Sequence, residues 1–338
     1  MDTQDPFSAA VRQPSFHSRF GGMWIDRHDF DQEIQRRLAA GRLAPRLEQP
    51  VRSFARDGYL VLPGAAAEAD LVRFEQAISK AFSEGHRHLV GQQPGDGTPR
   101  RVVAGMDPRQ VRIVDCFAVL PEAMALFSSP SLAEFLACVL DERPLLFQSI
   151  SFEVGSQQGL HQDTAYVVVD KRPMELVACW IALEDVKAGS GELQYMVGSH
   201  RLPDFEFGGN KKHWDSAVDG LDKHAEWFEW ILREGQAREM PTERFLARRG
   251  DILVWHADLA HGGSPIVDAS LSRKSLVGHY CPTSATPYFM KIAPARAMRL
   301  NHGAVDYASW YYDLTRMQSE AARDEFVTGL FGEAAPQP

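Results

Sequence analysis

The change in hydrophobic pattern near Pro144 limits the fold more than any other feature of the sequence. Before it, apolar side chains recur at helical spacing, as in Leu71, Phe74, Ile78 and Phe82, which predicts amphipathic helices. Beyond it, short apolar or alternating runs are separated by Pro, Gly, Asp or Ser, a pattern typical of strands. The strand candidates are residues 145–153, 166–169, 175–183, 193–197, 251–255 and 274–280. Helices followed by many short strands predict a β-sandwich or barrel core buttressed by N-terminal helices.

The chain divides into three parts by composition. Residues 1–50 carry no motif, and we expect an extension that serves as a lid, a dimer arm or a flexible leader. Residues 51–300 are expected to form one domain, interrupted at 201–250 by a polar insertion with an aromatic-rich helix candidate at 226–233. Residues 301–338 are predicted to form a helical segment and a disordered tail.

Net charge and cysteine usage indicate the setting in which the protein works. A formal charge of −9 and a pI near 5.7 disfavour nucleic acid as a partner. No apolar run is long enough to cross a membrane, and the N-terminus lacks the basic and apolar regions of a secretory signal. The four cysteines are widely spaced without a CxxC pair, so we expect buried, reduced thiols. These features predict a protein of the reducing cytoplasm and leave its oligomeric state open.

A histidine and an aspartate one residue apart, His161 and Asp163, stand in the β-rich half of the chain. Side chains alternate along a strand, so these two point to the same side. A second histidine far along the chain, His261 or His256, would complete a set of two imidazoles and one carboxylate, which holds Fe(II) and leaves coordination positions open. Taken alone, the HxD tripeptide is better explained by a chance surface pair.

Arg273 follows at the entry of a predicted strand. A guanidinium pairs bidentately with a carboxylate, so it suits the far carboxylate of a bound 2-oxo acid. Ser275 would face the same side of that strand and add a hydroxyl donor. The alternative is a solvated Arg–Lys pair at a strand edge.

The order of these motifs resembles the phytanoyl-CoA dioxygenase family over roughly residues 52–285. The segment 57–64, Asp-Gly-Tyr-Leu-Val-Leu-Pro-Gly, is similar to the usual opening of that family. The other motifs follow in the family's order and spacing: His161-Gln162-Asp163, Cys179-Trp180, Val197-Gly198-Ser199-His200, Gly250-Asp251, His261-Gly262 and the run from Arg273 to Tyr280. No single motif is specific, but the ordered set is.

The resemblance implies a mainly β chain with a double-stranded β-helix (jelly-roll, cupin-like) core and flanking, largely N-terminal helices. It also implies non-haem Fe(II), 2-oxoglutarate as cosubstrate, and O2. Within this implication His161, Asp163 and His261 match the iron ligands, and the following glycine selects His261 over His256. Arg273 matches the arginine that binds the far carboxylate of the cosubstrate.

Three further residues are candidates for the cosubstrate pocket. Trp180 matches an aromatic of that pocket, although a core tryptophan is an equal interpretation. Arg112 stands where relatives carry a basic residue, and Gln148 lies on the strand before the HQD turn and would donate a hydrogen bond. His279, in contrast, is expected to pack in the core.

The predicted reaction is oxidation of an aliphatic C–H bond of a small molecule, most simply hydroxylation, with release of succinate and CO2. The chemistry is centred on the iron, with no separate acid or base assigned. Halogenation is disfavoured because Asp163 fills the position that a halide needs in halogenating relatives. Desaturation, ring formation and stereoinversion remain open. The alternatives from other classes are a non-catalytic metal-binding jelly roll and a Zn or Mn hydrolase, and a hydrolase has no need of Arg273.

The substrate is the least constrained part of the prediction. An acyl-CoA is the family's namesake substrate, but the sequence shows no dense basic cluster for nucleotide phosphates. We therefore favour a small molecule of secondary metabolism. Loops usually carry recognition on such scaffolds, so residues 1–50 and 201–250 are the expected specificity elements. Trp227 and Trp230 would either cover the substrate or face the core.

Overall fold

The computed structural model describes residues 15–93 and 97–331. The α-helices are α1 (Phe30–Ala39), α2 (Glu48–Asp57), α3 (Glu68–Glu84), α4 (Pro121–Phe127), α5 (Pro130–Leu140), α6 (Ser216–Ala237), α7 (Phe289–Ile292) and α8 (Glu320–Phe331). The strands are β1 (Tyr59–Leu62), β2 (Val90–Gln92), β3 (Pro99–Arg101), β4 (Arg112–Val114), β5 (Pro144–Phe152), β6 (Val169–Asp170), β7 (Val177–Ala182), β8 (Leu193–Met196), β9 (Thr242–Phe245), β10 (Ile252–His256), β11 (His261–Gly263), β12 (Ser275–Pro282), β13 (Thr286–Pro287), β14 (Leu300–His302) and β15 (Val305–Tyr307). The predicted disordered tail from Ala335 lies outside the described residues.

Two mainly antiparallel sheets face each other. The large sheet has the order β1-β10-β7-β12-β5-β4-β2-β3, and β15 adds a parallel strand to β5. The small sheet has the order β11-β8-β9. Trp180 and Trp255 of the large sheet pack against Leu193 and Tyr195 of the small one. Side chains that interdigitate between two sheets form the core of a β-sandwich, which is the arrangement of a jelly roll.

Strand β7 shows that the helices cover one face of the large sheet. All six of its residues are buried. Ala178, Trp180 and Ala182 face the small sheet, whereas Val177, Cys179 and Ile181 join the core formed with the helices. A strand covered on both faces reads as a continuous apolar run rather than an alternating one. The N-terminal helices are therefore one wall of the domain core.

Helix exceeds strand among the described residues, at 37% against 23%. The expectation of a mainly β chain is therefore correct for the core only. The helices are also less confined to the N-terminus than expected, because α6 occupies the insertion and α8 lies near the C-terminus. Helix α6 spans 22 residues and has a break at Gly220 (φ 66°). It is longer than the helix predicted from the sequence, which covered only residues 226–233.

The described part of the N-terminal extension packs into the main core. Trp24, Ile25 and Ile34 are almost fully buried there. The indole of Trp24 donates a hydrogen bond to the Cys138 carbonyl at 2.9 Å, which ties the segment to α5.

Helices α4 and α5 form an apolar pair against the large sheet. Their buried side chains belong to the same core as α2 and α3. Within the described ranges no single helix is long and apolar enough to cross a membrane, and α4 and α5 meet that test only together, with a bend of 58° between them.

Candidate metal centre and cosubstrate pocket

A short backbone contact brings the two predicted histidine ligands together. His161 and His261 form an isolated antiparallel bridge, in which each backbone N–H donates to the carbonyl of the other at 2.9 Å. His261 begins β11 of the small sheet, and His161 precedes the single helical turn Asp163–Ala165. Residues far apart in sequence thus become neighbours across one bridge.

The side chains of His161, Asp163 and His261 converge. Their potential ligand atoms all lie within 4.8 Å of one another, and all three residues are buried. Asp163 Oδ1 is 3.8 Å from His161 Nε2 and 3.6 Å from His261 Nε2. Each Nδ1 lies near a backbone carbonyl, that of Gly159 at 2.9 Å and that of Leu259 at 2.8 Å. With Nδ1 donating to these carbonyls, both Nε2 lone pairs are free for a metal.

Trp255 fixes the orientation of the carboxylate. Its indole N–H donates to Asp163 Oδ2 at 2.8 Å, and its ring lies 4.7 Å from the ring of His261. His279 Nε2 is 3.3 Å from the same Oδ2, so His279 lines the site as well as being buried. Oδ1 is thereby left facing the two histidines. This positioning role of Trp255 was not predicted from the sequence, although its inward place on β10 was the available signal.

His256 occupies a different environment. Its Nε2 is 3.3 Å from Asp26 Oδ2, and its Nδ1 accepts a hydrogen bond from the Asp258 backbone at 3.1 Å. The structure therefore brings His261, and not His256, to His161 and Asp163.

The protonation states suit metal binding. Burial, together with nearby His261, lowers the pKa of His161 to about 4. Burial alone would raise the pKa of Asp163, but the imidazoles of His261 and His279 outweigh it, so this pKa is lowered. At neutral pH His161 is neutral and Asp163 is ionised, which are the forms that ligate metals. Two imidazoles and one carboxylate with a free side fit non-haem Fe(II).

A cavity of about 340 Å³ surrounds this centre, and we call it the metal cavity. Its walls include the three metal-ligand candidates, His161, Asp163 and His261. They also include four residues predicted for the cosubstrate pocket: Arg112, Gln148, Trp180 and Arg273. Ser275 is not on the wall; it is fully buried on β12, two residues from Arg273. Its hydroxyl has no hydrogen-bond partner among the described residues.

Arg273 is the most unusual group in the cavity. It is 3% exposed, and no described carboxylate lies within ion-pair distance of it. Its Nε has no hydrogen-bond partner in the described part of the chain. Burial lowers its pKa to about 10, with Glu192 acting in the opposite direction, so it stays charged at neutral pH. An unpaired buried cation is costly, which marks a position prepared for an anion.

Two aromatic rings lie near that cation. The Arg273 guanidinium lies 5.7 Å from the ring of Trp180 and 5.9 Å from that of Phe152. The Trp180 indole N–H is buried without a partner among the described residues, so it is available as a donor. Arg112 donates from Nε to the side chain of Gln92 at 3.1 Å.

The tryptophans of α6 pack in the core. Trp227 is 1% exposed and Trp230 is 9% exposed, and both belong to a cluster with Phe205 and Phe207. Of the two roles open from sequence, the core-facing one agrees with their burial. Tyr166, which was expected to begin a strand, instead lies beside the site with its ring 5.7 Å from that of His161.

Comparison with known proteins identifies relatives of this arrangement. A family model described as phytanoyl-CoA dioxygenase matches residues 54–275, which is more than half of the chain. No curated protein matches the sequence. The match confirms the predicted family and, with it, iron, 2-oxoglutarate and O2 as the cofactor and cosubstrates.

Several solved structures share the fold. The epimerase SnoN from nogalamycin biosynthesis, in complex with Fe3+, alpha ketoglutarate and nogalamycin RO, is 19% identical with a TM-score of 0.52, over 78% of this chain and 98% of SnoN. EctD from S. alaskensis, with 2-oxoglutarate and 5-hydroxyectoine, is 17% identical with a TM-score of 0.50, over 72% of this chain and 77% of EctD. The carbocyclase SnoK is 17% identical with a TM-score of 0.50, over 73% of this chain and 87% of SnoK. At these identities the likeness is one of fold.

Proposed function

We propose, since the chain belongs to the phytanoyl-CoA dioxygenase family, that this Fe(II)/2-oxoglutarate-dependent enzyme is a dioxygenase that hydroxylates an aliphatic C–H bond of a small molecule. The observation that carries the proposal is the pairing, in one cavity, of a metal-binding set with an uncompensated buried arginine. When bound, iron and 2-oxoglutarate supply the oxidation by O2, with release of succinate and CO2.

In this proposal His161, Asp163 and His261 hold the iron. The backbone carbonyls of Gly159 and Leu259 keep each Nδ1 protonated, so that both Nε2 atoms are presented to the metal. Trp255 holds one carboxylate oxygen and leaves the other for the metal. These supports fix the ligands before the metal arrives, which lowers the reorganisation that binding requires.

Arg273 holds the far carboxylate of 2-oxoglutarate. Its planar guanidinium can donate two parallel hydrogen bonds, and the buried wall around it excludes water that would weaken them. Trp180 has an unpartnered donor beside Arg273, and Ser275 has an unpartnered hydroxyl two residues along β12, within the described structure. Arg112 and Gln148 line the same cavity. The 2-oxo acid is thereby positioned with its other end towards the metal ligands.

The alternatives differ in how well they use these groups. Desaturation and ring formation need the same ligands and the same arginine, so they differ only in substrate placement. Halogenation is disfavoured because Asp163 fills its ligand position. A Zn or Mn hydrolase, or a metal-binding module without turnover, would leave the buried charge of Arg273 without a purpose.

The setting follows the same reasoning. We propose one catalytic domain over residues 51–300, flanked by the segments 1–50 and 301–338. All four cysteines are free, which agrees with the reducing cytoplasm. With a net charge of −9, the expected substrate is a small molecule rather than a nucleic acid.

The test is turnover without substrate. Purified protein given Fe(II), ascorbate and 2-oxoglutarate should release succinate slowly, because such a site activates O2 even when no C–H bond is presented. Equilibrium dialysis under anaerobic conditions should in addition show 2-oxoglutarate bound only when metal is present and Arg273 is intact. Complete absence of succinate after verified iron loading would contradict the proposal.

A further inference from the structure

A second cavity of about 260 Å³ adjoins the metal cavity, and we call it the outer chamber. The two share Gln148, Tyr166 and Val167 on their walls. The shared boundary is at the metal end, because the Tyr166 ring lies 5.7 Å from the ring of His161. A substrate portion held in the outer chamber would therefore lie next to the metal ligands.

Another cavity, of about 730 Å³, also adjoins the metal cavity, and we call it the polar cavity. It shares Arg112, Phe152, Ser156 and Gln158 with the metal cavity. Phe152 lies beside Arg273, and the Gln158 carbonyl accepts a hydrogen bond from the Gly263 backbone at 2.9 Å, so this boundary extends along the metal cavity. The wall of the polar cavity includes charged side chains, so it suits a polar molecule rather than an apolar one.

The outer chamber is aromatic and carries no charged residue on its wall. Six of its ten lining residues are aromatic: Phe147, Tyr166, Tyr288, Phe289, Trp310 and Tyr311. Tyr166 and Tyr288, together with Ile292 at the same wall, are among the few large hydrophobic side chains that stay exposed, at 37%, 42% and 59%. Exposed apolar side chains gathered around one opening mark a binding site rather than scattered surface residues.

A β-bulge builds part of this wall. The pairing of β12 with β5 passes from His279–Gln148 to Tyr280–Leu146, so Phe147 is an extra residue in β5. A bulge re-aims side chains, and here both Phe147 and Gln148 line the chamber although neighbours on a regular strand face opposite ways.

Half of the wall comes from the chain beyond the family match, namely Tyr288, Phe289, Ile292, Trp310 and Tyr311, and it is held firmly. β13 pairs with β6, and the Tyr288 backbone donates to the Val168 carbonyl at 2.9 Å. Arg296 packs its guanidinium 5.2 Å from the ring of Trp310. Arg296 also donates a hydrogen bond to the Trp310 carbonyl. Lys291 is paired with Asp170 at 3.0 Å. Both cations are therefore engaged with groups outside the wall of the chamber or with its backbone.

We infer that the outer chamber is the substrate-recognition site and that it takes an uncharged, flat, largely apolar portion of the substrate, stacked between Tyr166, Tyr288 and Trp310. The inference rests on the proposed function, since it takes the metal as the reacting centre. It assigns specificity to residues 286–311, a segment outside the two specificity elements expected from the sequence. An acyl-CoA nucleotide or another polyanion would find no cationic side chain on the wall of the chamber.

Three fragments of one shape and different charge test the inference: 1-naphthol, 1-naphthoate and 1-naphthylmethylammonium. The protein is loaded with 2-oxoglutarate, so that Arg273 is occupied, and with Mn²⁺ or Zn²⁺. We expect 1-naphthol to bind more tightly than both charged fragments. Its NMR lines should broaden with Mn²⁺ and not with Zn²⁺, because the chamber adjoins the metal. Calorimetric titration without metal measures the same binding independently.

The variants Tyr288→Ala and Trp310→Ala should each weaken binding of 1-naphthol about tenfold, because each removes a stacking wall. Ile292→Lys, at an exposed position, should weaken 1-naphthol and favour 1-naphthoate. Leu221→Ala is the matched control, since Leu221 is an exposed apolar residue (76%) of α6 away from the chamber wall. Metal binding, succinate release without substrate and 1-naphthol binding should all be unchanged in Leu221→Ala.

No binding of 1-naphthol, equal or tighter binding of 1-naphthoate, or binding insensitive to both aromatic variants would overturn the inference. Tighter binding of the anion would instead point to the polar cavity. If the wild-type protein binds no metal or releases no succinate, the proposed function is contradicted. The fragment titrations do not depend on that result, so the two failures can be told apart.

Discussion

Two buried polar clusters lie next to each other in this protein and differ in how their charges are satisfied. In the first, which we call the salt cluster, Lys212 Nζ is 2.6 Å from Asp258 and 3.1 Å from Asp204. His256 is 3.3 Å from Asp26 in the same cluster. Each of these buried charges faces an opposite charge, as a structural network requires.

The metal cavity is the opposite case. His161 and His261 turn free Nε2 atoms towards each other and towards Asp163, and Arg273 has no carboxylate partner among the described residues. The contrast teaches that buried charge alone does not mark a site; buried charge that the protein leaves unpaired does.

The salt cluster also supports the metal cavity. Gln162 Nε2 donates to the Asp258 backbone carbonyl at 2.9 Å, and Thr164 donates a short hydrogen bond to the Asp258 carboxylate. The residues on both sides of Asp163 are thus held by the salt cluster. The following predictions separate the two clusters.

Asp163→Ala should have the largest effect. It removes the only carboxylate of the metal-binding set, so we expect metal affinity to fall and succinate release to drop by at least about 10³-fold. Metal content by mass spectrometry and succinate by chromatography measure both, with circular dichroism to confirm folding. Turnover near the wild-type rate would show that the site is elsewhere.

Arg273→Leu should raise the KM for 2-oxoglutarate by about 10²-fold, because a bidentate charge-assisted pair is lost. Metal affinity should stay unchanged. Since the variant removes an uncompensated buried charge, the free energy of unfolding should not fall. Arg273→Lys keeps the positive charge but not the planar guanidinium, so its KM for 2-oxoglutarate should lie between those of the wild type and Arg273→Leu. An unchanged KM would exclude Arg273 as the carboxylate anchor.

Lys212→Met should lower the free energy of unfolding by about 3–5 kcal/mol, because Asp258 and Asp204 then face each other unpaired. The KM for 2-oxoglutarate should change less than in Arg273→Leu. The neighbouring Lys211 pairs with Asp215 at 3.6 Å nearer the surface, so Lys211→Met should cost less than about 1 kcal/mol. Urea unfolding measures both; equal losses would mean that the salt cluster contributes little.

His256→Gln should have the smallest effect and leave metal binding intact. Burial lowers the pKa of His256, but the carboxylates of Asp26 and Asp258 outweigh burial and the opposing Lys212, so the pKa is raised. Its contribution to stability is therefore full below the unfolded pKa of about 6.5 and is lost as pH rises through the higher folded pKa. The neighbouring ring of His200, with a pKa lowered by burial to about 3, stays neutral in this range.

Urea unfolding of wild type and His256→Gln at several values from about pH 6 to pH 9 tests the sign. The difference in unfolding free energy should shrink as pH rises. A difference that grows with pH, or loss of metal from the variant, would contradict the assignment of His256 to the salt cluster.

The local sequence pattern was sufficient to predict elements whose side chains alternate regularly along the chain. The strand candidates at 251–255 and 274–280 correspond closely to β10 and β12, because alternation and flanking turn residues define a strand locally. The convergence of His161, Asp163 and His261 was also predictable, since the ordered motifs identify the family.

Features that depend on distant contacts were not predictable. The indole of Trp255 meets Asp163 across 92 positions, and the bulge at Phe147 appears only in the strand pairing. The strand expected at 166–169 is mostly irregular because Tyr166 turns towards His161 and α6. The roles expected for residues 1–50 and 201–250 in specificity stay predictions.

The bridge between His161 and His261 has a consequence for how the chain holds together. It closes a loop of about 100 residues that contains β7 to β10 and α6. A covalent cross-link over a loop of this size restricts the unfolded chain by an amount on the order of 4 kcal/mol. A metal bound to both histidines acts as a reversible version of that cross-link, which the thermal unfolding of loaded and chelator-treated protein would measure. Removing the metal is therefore expected to lower the stability of the fold as well as to remove the cofactor of the reaction.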